Sequence, residues 1–391
     1  MVAERYLRLG LQLGRHVDGM VDAYFGPAEL AAEVDAAPLV EPATLVADAD
    51  RLAAELEDGW LRDQVIGLQT YARVLAGESV AYADEVEGCY GVRPVRTDES
   101  VFQSAHEALD ELLPGSGPLG ARYARWEESI RVPPDLIAAS VAAVIEEARR
   151  QTRRLVELPE GESVTLELVE GVPWLAFCEY LGGLRSHISV NVDLPMSALE
   201  LLRLSIHETY PGHHAERCLK EAVLVRAGGL VEETAVFVPT PQSLIAEGIA
   251  TVAPSLLLEE ADGDELGAIA QRAAPAFDLR QALAVERALL PCRHADVNAA
   301  LLMHVDGAAD GDVQAYLERW GLLTPELASH VVRFLHEPTS RSYILTYVAG
   351  QELCGRYISG GPGRFRDLLT RQFRVGDLGA DEFAASPRST P

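Results

Sequence analysis

The chain has 391 residues, of which 48% are hydrophobic and 24% are charged, and its net charge at pH 7 is −27. This length and composition are typical of a globular protein with a large core, in one domain or two. The excess of acidic residues argues against binding to nucleic acids or to anionic membranes, because both require basic surfaces.

Other features of the sequence point to the cytoplasm. No apolar run reaches the roughly 18 to 20 residues that cross a bilayer. The N-terminal segment carries charges throughout, unlike a signal peptide. The five cysteines are scattered and do not form a disulfide framework. We therefore expect a cytoplasmic protein; the sequence gives no indication of its oligomeric state.

The first part of the chain is predicted to be helical. Apolar residues recur at helical spacing from Tyr6 to Asp22, and again in the segments Ala43–Leu56 and Leu61–Leu75. The Gly- and Pro-rich segment Leu112–Gly120 predicts a loop. Another amphipathic helix is expected from Asp135 to Leu158.

The hydrophobic period then changes. Three apolar or alternating segments between Ser163 and Leu194, each bounded by Gly or Pro, predict three short strands in a small antiparallel sheet, arranged as a meander. Ser197 can cap the helix that follows, and helical patterns dominate from there to the end. The sequence therefore predicts a mainly α protein with one small sheet placed before a particular helix.

That helix ends in the sequence HETYPGHH, residues 207–214. In zinc proteases, two histidines four residues apart on one helix bind the metal, and the glutamate beside the first is the general base. Here Pro211 stands four residues after His207, and proline neither binds zinc nor continues a regular helix. Since Gly212 loosens the backbone further, we expect the helix to kink, bulge or restart before His213.

Two arrangements of the ligands follow from this irregularity. If residues 211–212 are a two-residue insertion, His213 takes the second ligand position. In a regular helix His214 would instead face His207, about 10.5 Å further along the axis. We favour His207 and His213 as ligands, with His214 in reserve, and expect Glu208 to accept a proton from bound water.

A catalytic zinc site usually has a third protein ligand. Glu247 lies on an apolar helical segment 34 residues after His213. A buried carboxylate requires a partner, and a metal ion would supply one. The alternative is a partly exposed glutamate near a helix end.

The motif pair HETYPGHH and AEG resembles that of domain-of-unknown-function family 885, which has His-Glu-x-x-Pro-Gly-His followed later by Glu-Gly. The segments HVDGMVDAYFGP, WEESIRVPP and RSYILTYVAGQEL are also similar to family segments, so the resemblance covers nearly the whole chain. It implies a metallopeptidase-like fold related to helical gluzincins such as the carboxypeptidase Taq family. It also implies His207, His213 and Glu247 as metal ligands and Glu208 as base, and it names no substrate. The segment IATVAP lacks the tryptophan often seen in the family, which bears on the shape of the pocket.

We accordingly expect one metallopeptidase-like domain over residues 1–391. Its helical N-terminal part is residues 1–120, and its catalytic part is residues 121–380, with the sheet at 163–194. The polar segment 381–391 is expected to be a flexible tail.

Two further features are candidates for the substrate site. Tyr343, Tyr347 and Gln351 follow one another at steps of four residues, hence on one helical face. A tyrosine hydroxyl there can stabilise the oxyanion of a cleaved amide, although such a stripe is also typical of core packing. Arg341 can hold a substrate carboxylate or form a surface ion pair. We also predict that His187–Asp193 is an exposed strand edge beside the cleft, with which an extended substrate pairs.

The sequence thus predicts a zinc-dependent hydrolase, a peptidase or amidase that acts on a peptide or a small amide. Two alternatives stay open. One is a metal-dependent hydrolase of a non-peptide amide or ester with the same ligands, and the other is a non-catalytic helical binding protein whose histidines are structural.

Overall fold

The computed structural model describes residues 1–172, 174–259, 263–361 and 363–379. Helices predominate in this part of the chain, and two small sheets interrupt them. The predicted mainly α fold class, with a small sheet before the helix of His207, is confirmed. No helix in the described ranges has the length and apolar character that a membrane crossing requires. The predicted flexible tail, residues 381–391, lies outside the described residues.

The N-terminal part consists of helices joined by short loops, with one short strand. These elements are α1 (Val2–Gly14), β1 (Val21–Tyr24), α2 (Ala28–Ala36), α3 (Pro42–Glu55), α4 (Trp60–Leu75), α5 (Tyr82–Tyr90), α6 (Glu99–Leu112), α7 (Leu119–Ser129) and α8 (Pro134–Leu155).

Most of the predicted helices lie where the apolar spacing placed them. Helices α3, α4 and α8 agree with the predictions to within a few residues. The predicted helix Tyr6–Asp22 is wrong at its C-terminal end, because α1 stops at Gly14. A Cβ atom on Gly14 would lie 2.5 Å from Cγ2 of Val21. The glycine therefore lets the chain turn back closely enough for Val21–Tyr24 to form a strand.

The three strands predicted between residues 163 and 194 are present as β2 (Ser163–Val169), β3 (Ala176–Gly182) and β4 (Arg185–Asn191). Their order is β2–β4–β3, and β4 pairs in parallel with β2 and antiparallel with β3. The predicted meander is therefore wrong, because the long connection after β2 places β3 on the far side of β4. The predicted edge at His187–Asp193 is wrong as well, since β4 is the central strand.

The remaining elements are helical apart from one strand. They are α9 (Ala198–Glu208), α10 (His213–Lys220), β5 (Ala235–Phe237), α11 (Pro241–Leu258), α12 (Gly263–Ala273), α13 (Leu279–Leu289), α14 (His294–His304), α15 (Asp310–Trp320), α16 (Pro325–His336), α17 (Ser340–Ser359) and α18 (Arg364–Thr370). A π-helical turn covers Glu221–Ala227, and 3₁₀ turns cover Val231–Thr234, Leu290–Arg293 and Val375–Leu378. Strand β5 pairs antiparallel with β1 in a two-stranded sheet that the sequence did not predict.

Helix α11 is the central element of the core. Leu244 and Ile249 pack in a cluster formed with the N-terminal and C-terminal helices. Ala253 and Leu257, near the other end of α11, pack in a second cluster with α8, α9 and α12. Each buried leucine or isoleucine side chain contributes roughly 1.5 to 3 kcal/mol to the stability of the fold. Helix α11 is thus held rigidly on all sides, which fixes the position of any side chain it carries.

Helices α11 and α17 approach each other at two glycines. A Cβ atom on Gly248 would lie 2.4 Å from the carbonyl oxygen of Gly350, and one on Gly350 would lie 2.5 Å from that of Leu244. Distances this short leave no room for any side chain, so the two backbones are in direct contact. The glycine of the AEG sequence therefore has a packing role beside Glu247.

Candidate metal centre

Three of the predicted ligands converge at one point. His207 lies in the last turn of α9, His213 is the first residue of α10, and Glu247 lies in the middle of α11. The Nε2 atom of His207 is 3.6 Å from Oε2 of Glu247, and Nε2 of His213 is 3.3 Å from Oε1. The donor atoms of the three residues all lie within 4.8 Å of one another. Two imidazoles and one carboxylate so placed can hold a metal ion.

The break between α9 and α10 brings the two histidines together. Helix α9 ends at Glu208, helix α10 begins at His213, and the Tyr210–Pro211 peptide bond is cis. A Cβ atom on Gly212 would lie only 1.9 Å from the carbonyl oxygen of His207, so only glycine fits. The predicted helix irregularity is confirmed, and the imidazole rings of His207 and His213 lie 4.7 Å apart.

The polar atoms at this point fit a cation. Oε1 of Glu247 accepts a hydrogen bond of 2.6 Å from the hydroxyl of Tyr343. Oε2 of Glu247 and Nδ1 of His213 are buried, and neither has a hydrogen-bond partner among the residues that the structure describes. A buried polar atom without a partner is unfavourable. A metal ion held by Oε2 and the imidazoles would satisfy the carboxylate.

The three residues differ in protonation state because their surroundings shift their pKa values in different directions. Burial, together with the charge on His213, lowers the pKa of His207 to about 3, so this imidazole is neutral, as metal binding requires. Burial also disfavours the charged forms of His213 and Glu247. The attraction between the positive imidazole and the negative carboxylate outweighs this effect. The pKa of His213 is raised to about 9 and that of Glu247 is lowered to about 2. Without a cation, these two residues form an ion pair.

Glu208 is beside the three ligands and is not one of them. Its side chain is buried, and burial raises its pKa to about 7. The charge on His213 opposes this shift, whereas the charges on Glu247 and Asp22 add to it. A carboxylate in this position is available to exchange a proton with a molecule bound at the centre.

The two predicted tyrosines have different surroundings. Tyr343 donates its hydroxyl to Glu247, so it orients a ligand. Tyr347 is one helical turn further along α17, with its ring 5.5 Å from that of Tyr343 and perpendicular to it. The side chain of Tyr347 is 38% exposed, and its hydroxyl has no hydrogen-bond partner in the described part of the chain. Tyr347 is therefore free to donate to a substrate.

The reserve ligand His214 points into a different environment. Its ring is fully buried, with Nδ1 2.7 Å from the hydroxyl of Ser186 and Nε2 3.2 Å from Oε2 of Glu162. Glu162 also accepts hydrogen bonds from the Tyr210 hydroxyl and, at 2.7 Å, from Nε of Arg149. His214 thus anchors the start of α10 to β4 and, through Glu162, to Arg149 of α8, and His213 is the histidine that joins the group of donor atoms.

Arg341 is not part of this group. Its guanidinium donates to both carboxylate oxygens of Glu85, a residue that is fully buried. Its backbone carbonyl accepts a 2.8 Å hydrogen bond from the hydroxyl of Tyr82. Because Glu85 occupies the planar fork of Arg341, the substrate-carboxylate role expected from the sequence has no support in this geometry.

One residue of the centre escaped the sequence analysis. Asp22 of β1 accepts a hydrogen bond of 2.8 Å from Arg217, which is one helical turn after His213 on α10. Its pKa is raised by burial, against the charge of Arg217, and the charges of His213 and Glu247 also act on it. The segment HVDGMVDAYFGP contains Asp22, but no ligand spacing distinguishes this aspartate from its neighbours.

Strand β3 carries Cys178, whose surroundings include Glu208. Burial, and next the charge on Glu208, raise the pKa of the Cys178 thiol on β3. Since β4 pairs with both of its neighbours, the outer strands of this sheet are β2 and β3.

Comparisons with known proteins concern the fold. No known family model matches the chain, and no curated protein matches it. A solved structure from Colwellia psychrerythraea, described as a putative lipoprotein, has a TM-score of 0.54 and 14% identity, covering 87% of this chain and 66% of that one. A protein from Shewanella oneidensis, described in the same words and as of unknown function, has a TM-score of 0.49 and 14% identity, covering 97% and 70%. An M32 carboxypeptidase from Deinococcus radiodurans R1 has a TM-score of 0.35 and 12% identity, covering 96% and 88%.

The first of these structures is similar in fold, and this chain spans about two thirds of its length. A likeness at 14% identity concerns the fold alone and transfers no activity. The resemblance to family 885 therefore rests on the motifs in the sequence, and the candidate centre rests on its own geometry.

Proposed function

We propose that this chain is a metal-dependent hydrolase of amide bonds, with zinc as the ion and peptides or small amides as substrates. The observation that carries the proposal is the convergence of His207, His213 and Glu247, whose donor atoms lie within 4.8 Å of one another. Catalytic zinc sites commonly have two histidines and one glutamate as protein ligands and keep a further position for water or substrate.

Glu208 is the proposed general base. A zinc ion held by the three ligands would polarise the substrate carbonyl and allow water to lose a proton near neutral pH. The Glu208 carboxylate, adjacent to His207 and buried beside it, accepts a proton from the attacking water. It then gives that proton to the leaving amine.

Two tyrosines complete the proposed centre. The Tyr347 hydroxyl, which has no partner in the described residues, donates to the oxyanion that develops on the substrate carbonyl. Tyr343 keeps Glu247 in its orientation through the hydrogen bond to Oε1, so that the carboxylate faces the imidazoles of His207 and His213. Tyr343 is thus a positioning residue, and Tyr347 is the catalytic one.

Two other functions are compatible with the same residues. A hydrolase of a non-peptide amide or an ester would use the centre in the same way. In a non-catalytic binding protein, the histidines would be structural. Oε2 of Glu247 has no hydrogen-bond partner among the described residues, which favours a metal site over a binding protein, because a purely structural carboxylate would have its oxygens hydrogen-bonded.

Metal analysis of the purified protein is the first test. We expect one zinc per chain in the wild type and none in His207→Ala. The control is His336→Ala, which removes an exposed histidine paired with Asp310 on the surface and should retain the metal. A wild type without stoichiometric metal, or a His207→Ala variant that keeps it, would support the binding protein.

The second test separates catalysis from metal binding. Glu208→Gln should retain zinc and lose about 100-fold to 10,000-fold of its turnover. Turnover is measured by mass spectrometry on a diverse peptide mixture and on a set of non-peptide amides and esters. Cleavage of the non-peptide amides or esters without cleavage of any peptide would favour the non-peptide hydrolase. Unchanged turnover in Glu208→Gln would rule out Glu208 as the general base and with it the proposed mechanism.

A further inference from the structure

Two arginines flank the metal centre on the side of His207. Arg203 lies one helical turn before His207 on α9, so both side chains project from the same face. Arg293 ends the 3₁₀ turn before α14, and its Nη1 atom donates a hydrogen bond of 3.1 Å to Oε1 of Gln351. Gln351 is one turn after Tyr347 on α17. Arg203 therefore lies on the helix that carries His207, and Arg293 is hydrogen-bonded to the helix that carries Tyr347.

The two guanidinium groups share one carboxylate oxygen. Nε of Arg203 is 2.9 Å from Oε1 of Glu286, and Nη2 of Arg293 is 3.7 Å from the same atom. The groups are thus close neighbours. Burial, and next the charge on Arg203, lower the pKa of Arg293 to about 10. Glu200 and Asp296 also act on Arg293, so the surrounding acidic groups offset the paired positive charge.

Donor groups of this pair are available to a ligand. The terminal nitrogens of Arg203 have no hydrogen-bond partner in the described part of the chain, and its side chain is 21% exposed. Arg293 is 28% exposed. Arg341 differs, because Glu85 fills its planar fork. Arg203 and Arg293 therefore present charge-assisted donors at a half-buried position next to the centre, where water screens them less than at the surface.

We propose that Arg203 and Arg293 bind a carboxylate of the substrate. This inference rests on the proposed function and gives its substrate class: peptides or amides that carry a carboxylate close to the scissile bond. A planar guanidinium matches a carboxylate in shape and can bind it through two parallel hydrogen bonds. The carboxylate is either the α-carboxylate at the end of a peptide or the side chain of an aspartate or glutamate.

Wild-type protein alone provides the first test. A set of synthetic peptides with free C-termini is compared with the same sequences synthesised as C-terminal amides, and cleavage is followed by mass spectrometry. We expect amidation to reduce the cleavage rate about tenfold to 100-fold, the effect of losing a hydrogen-bonded charge. If amidated peptides that contain Asp or Glu next to the scissile bond stay good substrates, the carboxylate comes from the side chain. Equal cleavage of both sets, with no dependence on acidic residues, would overturn the inference.

Variants connect the effect to the two residues. Arg203→Gln and Arg293→Gln should each lose the preference for the carboxylate, and the corresponding lysine variants should recover part of it because they keep the charge. The matched control is Arg73→Gln, which removes a part-exposed arginine paired with Asp50 on α3, away from the centre. The control should keep the preference. If both Gln variants kept it as well, the assignment would be wrong.

Binding to the metal-free protein is a readout that does not depend on turnover. After removal of metal with a chelator, N-acetyl-leucine and N-acetyl-leucinamide are titrated by NMR. We expect the acid to bind at least about tenfold more tightly than the amide, and this difference to disappear in the Arg203→Gln, Arg293→Gln double variant. No difference in the wild type would rule out the α-carboxylate, and the inference would then be overturned if the amidated peptides also showed no dependence on acidic residues. Failure of the proposed function is separate, since it appears as absent zinc and absent cleavage of either set.

Discussion

The hydroxyl of Tyr343 donates a hydrogen bond of 2.6 Å to Oε1 of Glu247, whose two oxygens each face one imidazole, Oε1 that of His213 and Oε2 that of His207. A phenol on α17 thus holds the carboxylate of Glu247 on α11 in the orientation in which it faces both imidazoles. Such supporting hydrogen bonds orient metal ligands and tune their affinity.

The first prediction concerns this contact. Tyr343→Phe keeps the ring and removes the hydroxyl, so Glu247 loses the group that orients it. We expect zinc affinity to fall about tenfold to 100-fold, as measured by competition with a chromogenic chelator. Tyr347→Phe is the matched control, because it removes a hydroxyl from the same face of α17 without touching a ligand, and its zinc affinity should be unchanged. Equal affinity in all three proteins would show that Tyr343 does not support the site.

The second prediction concerns the neighbouring tyrosine. Tyr347→Phe should retain zinc and reduce kcat about 100-fold to 1,000-fold, because it removes a donor to the developing oxyanion. KM should change little, since the hydrogen bond forms mainly in the transition state. Steady-state kinetics on the best substrate from the peptide mixture measures both parameters. A rise in KM with unchanged kcat would instead make Tyr347 a binding residue.

The third prediction concerns the break in the motif. Gly212→Ala places a methyl group where the carbonyl oxygen of His207 lies, 1.9 Å from the Cβ position. Moving either segment separates the two imidazoles, so we expect weaker zinc binding and a free energy of unfolding lower by about 1 to 3 kcal/mol or more. The control is Gly311→Ala, near the start of α15, where a Cβ meets nothing within 4 Å. It should be neutral or stabilising by up to about 1 kcal/mol.

The fourth prediction concerns pH and the buried Glu162. Burial raises its pKa, but the hydrogen bonds from His214, Tyr210 and Arg149 outweigh this and leave the pKa below the ordinary value of 4.5. A carboxyl with a lowered pKa in the folded state stabilises the protein above its unfolded pKa, and this stability is lost as the pH falls through the folded value. Glu162→Gln should therefore lower the free energy of unfolding by about 1 to 3 kcal/mol at neutral pH.

The difference between wild type and Glu162→Gln should shrink below about pH 4.5, where Glu162 becomes protonated on unfolding. Urea denaturation at a series of pH values measures it. Glu128→Gln serves as the control, because Glu128 is 66% exposed and pairs with Arg131 on the surface. Its effect should stay within about 0.5 kcal/mol at every pH. A constant difference for Glu162→Gln down to pH 3 would refute the linkage.

The residues that converge at the candidate centre could be identified from the sequence because their signals are local. His207, Glu208 and His213 lie within one short motif, and the proline and glycine in it forced the correct expectation of a broken helix. Glu247 was identifiable as a carboxylate within an apolar helix. Three of the strands were recognisable in the same way, from alternation over a few residues.

What the sequence could not indicate depends on contacts between distant segments. Arg341 is paired with a glutamate 256 residues away, and the division of roles between the two tyrosines depends on which of them reaches Glu247. The order of the sheet depends on how β2 returns to β4, and β1, which carries Asp22, pairs with β5 from a distant part of the chain. None of these pairings leaves a periodic pattern in the chain.

The meeting of Gly248 with Gly350 has a consequence for how this centre can vary. The backbones of α11 and α17 are in contact there, so no side chain separates the two helices and the distance between them is fixed. A methyl group at either glycine would push the two helices apart. Because helices are stiff, the distance between the Glu247 carboxylate and the Tyr343 hydroxyl would increase as well. The surrounding side chains can change in size and be repacked, but the alignment of the centre depends on these two positions having none.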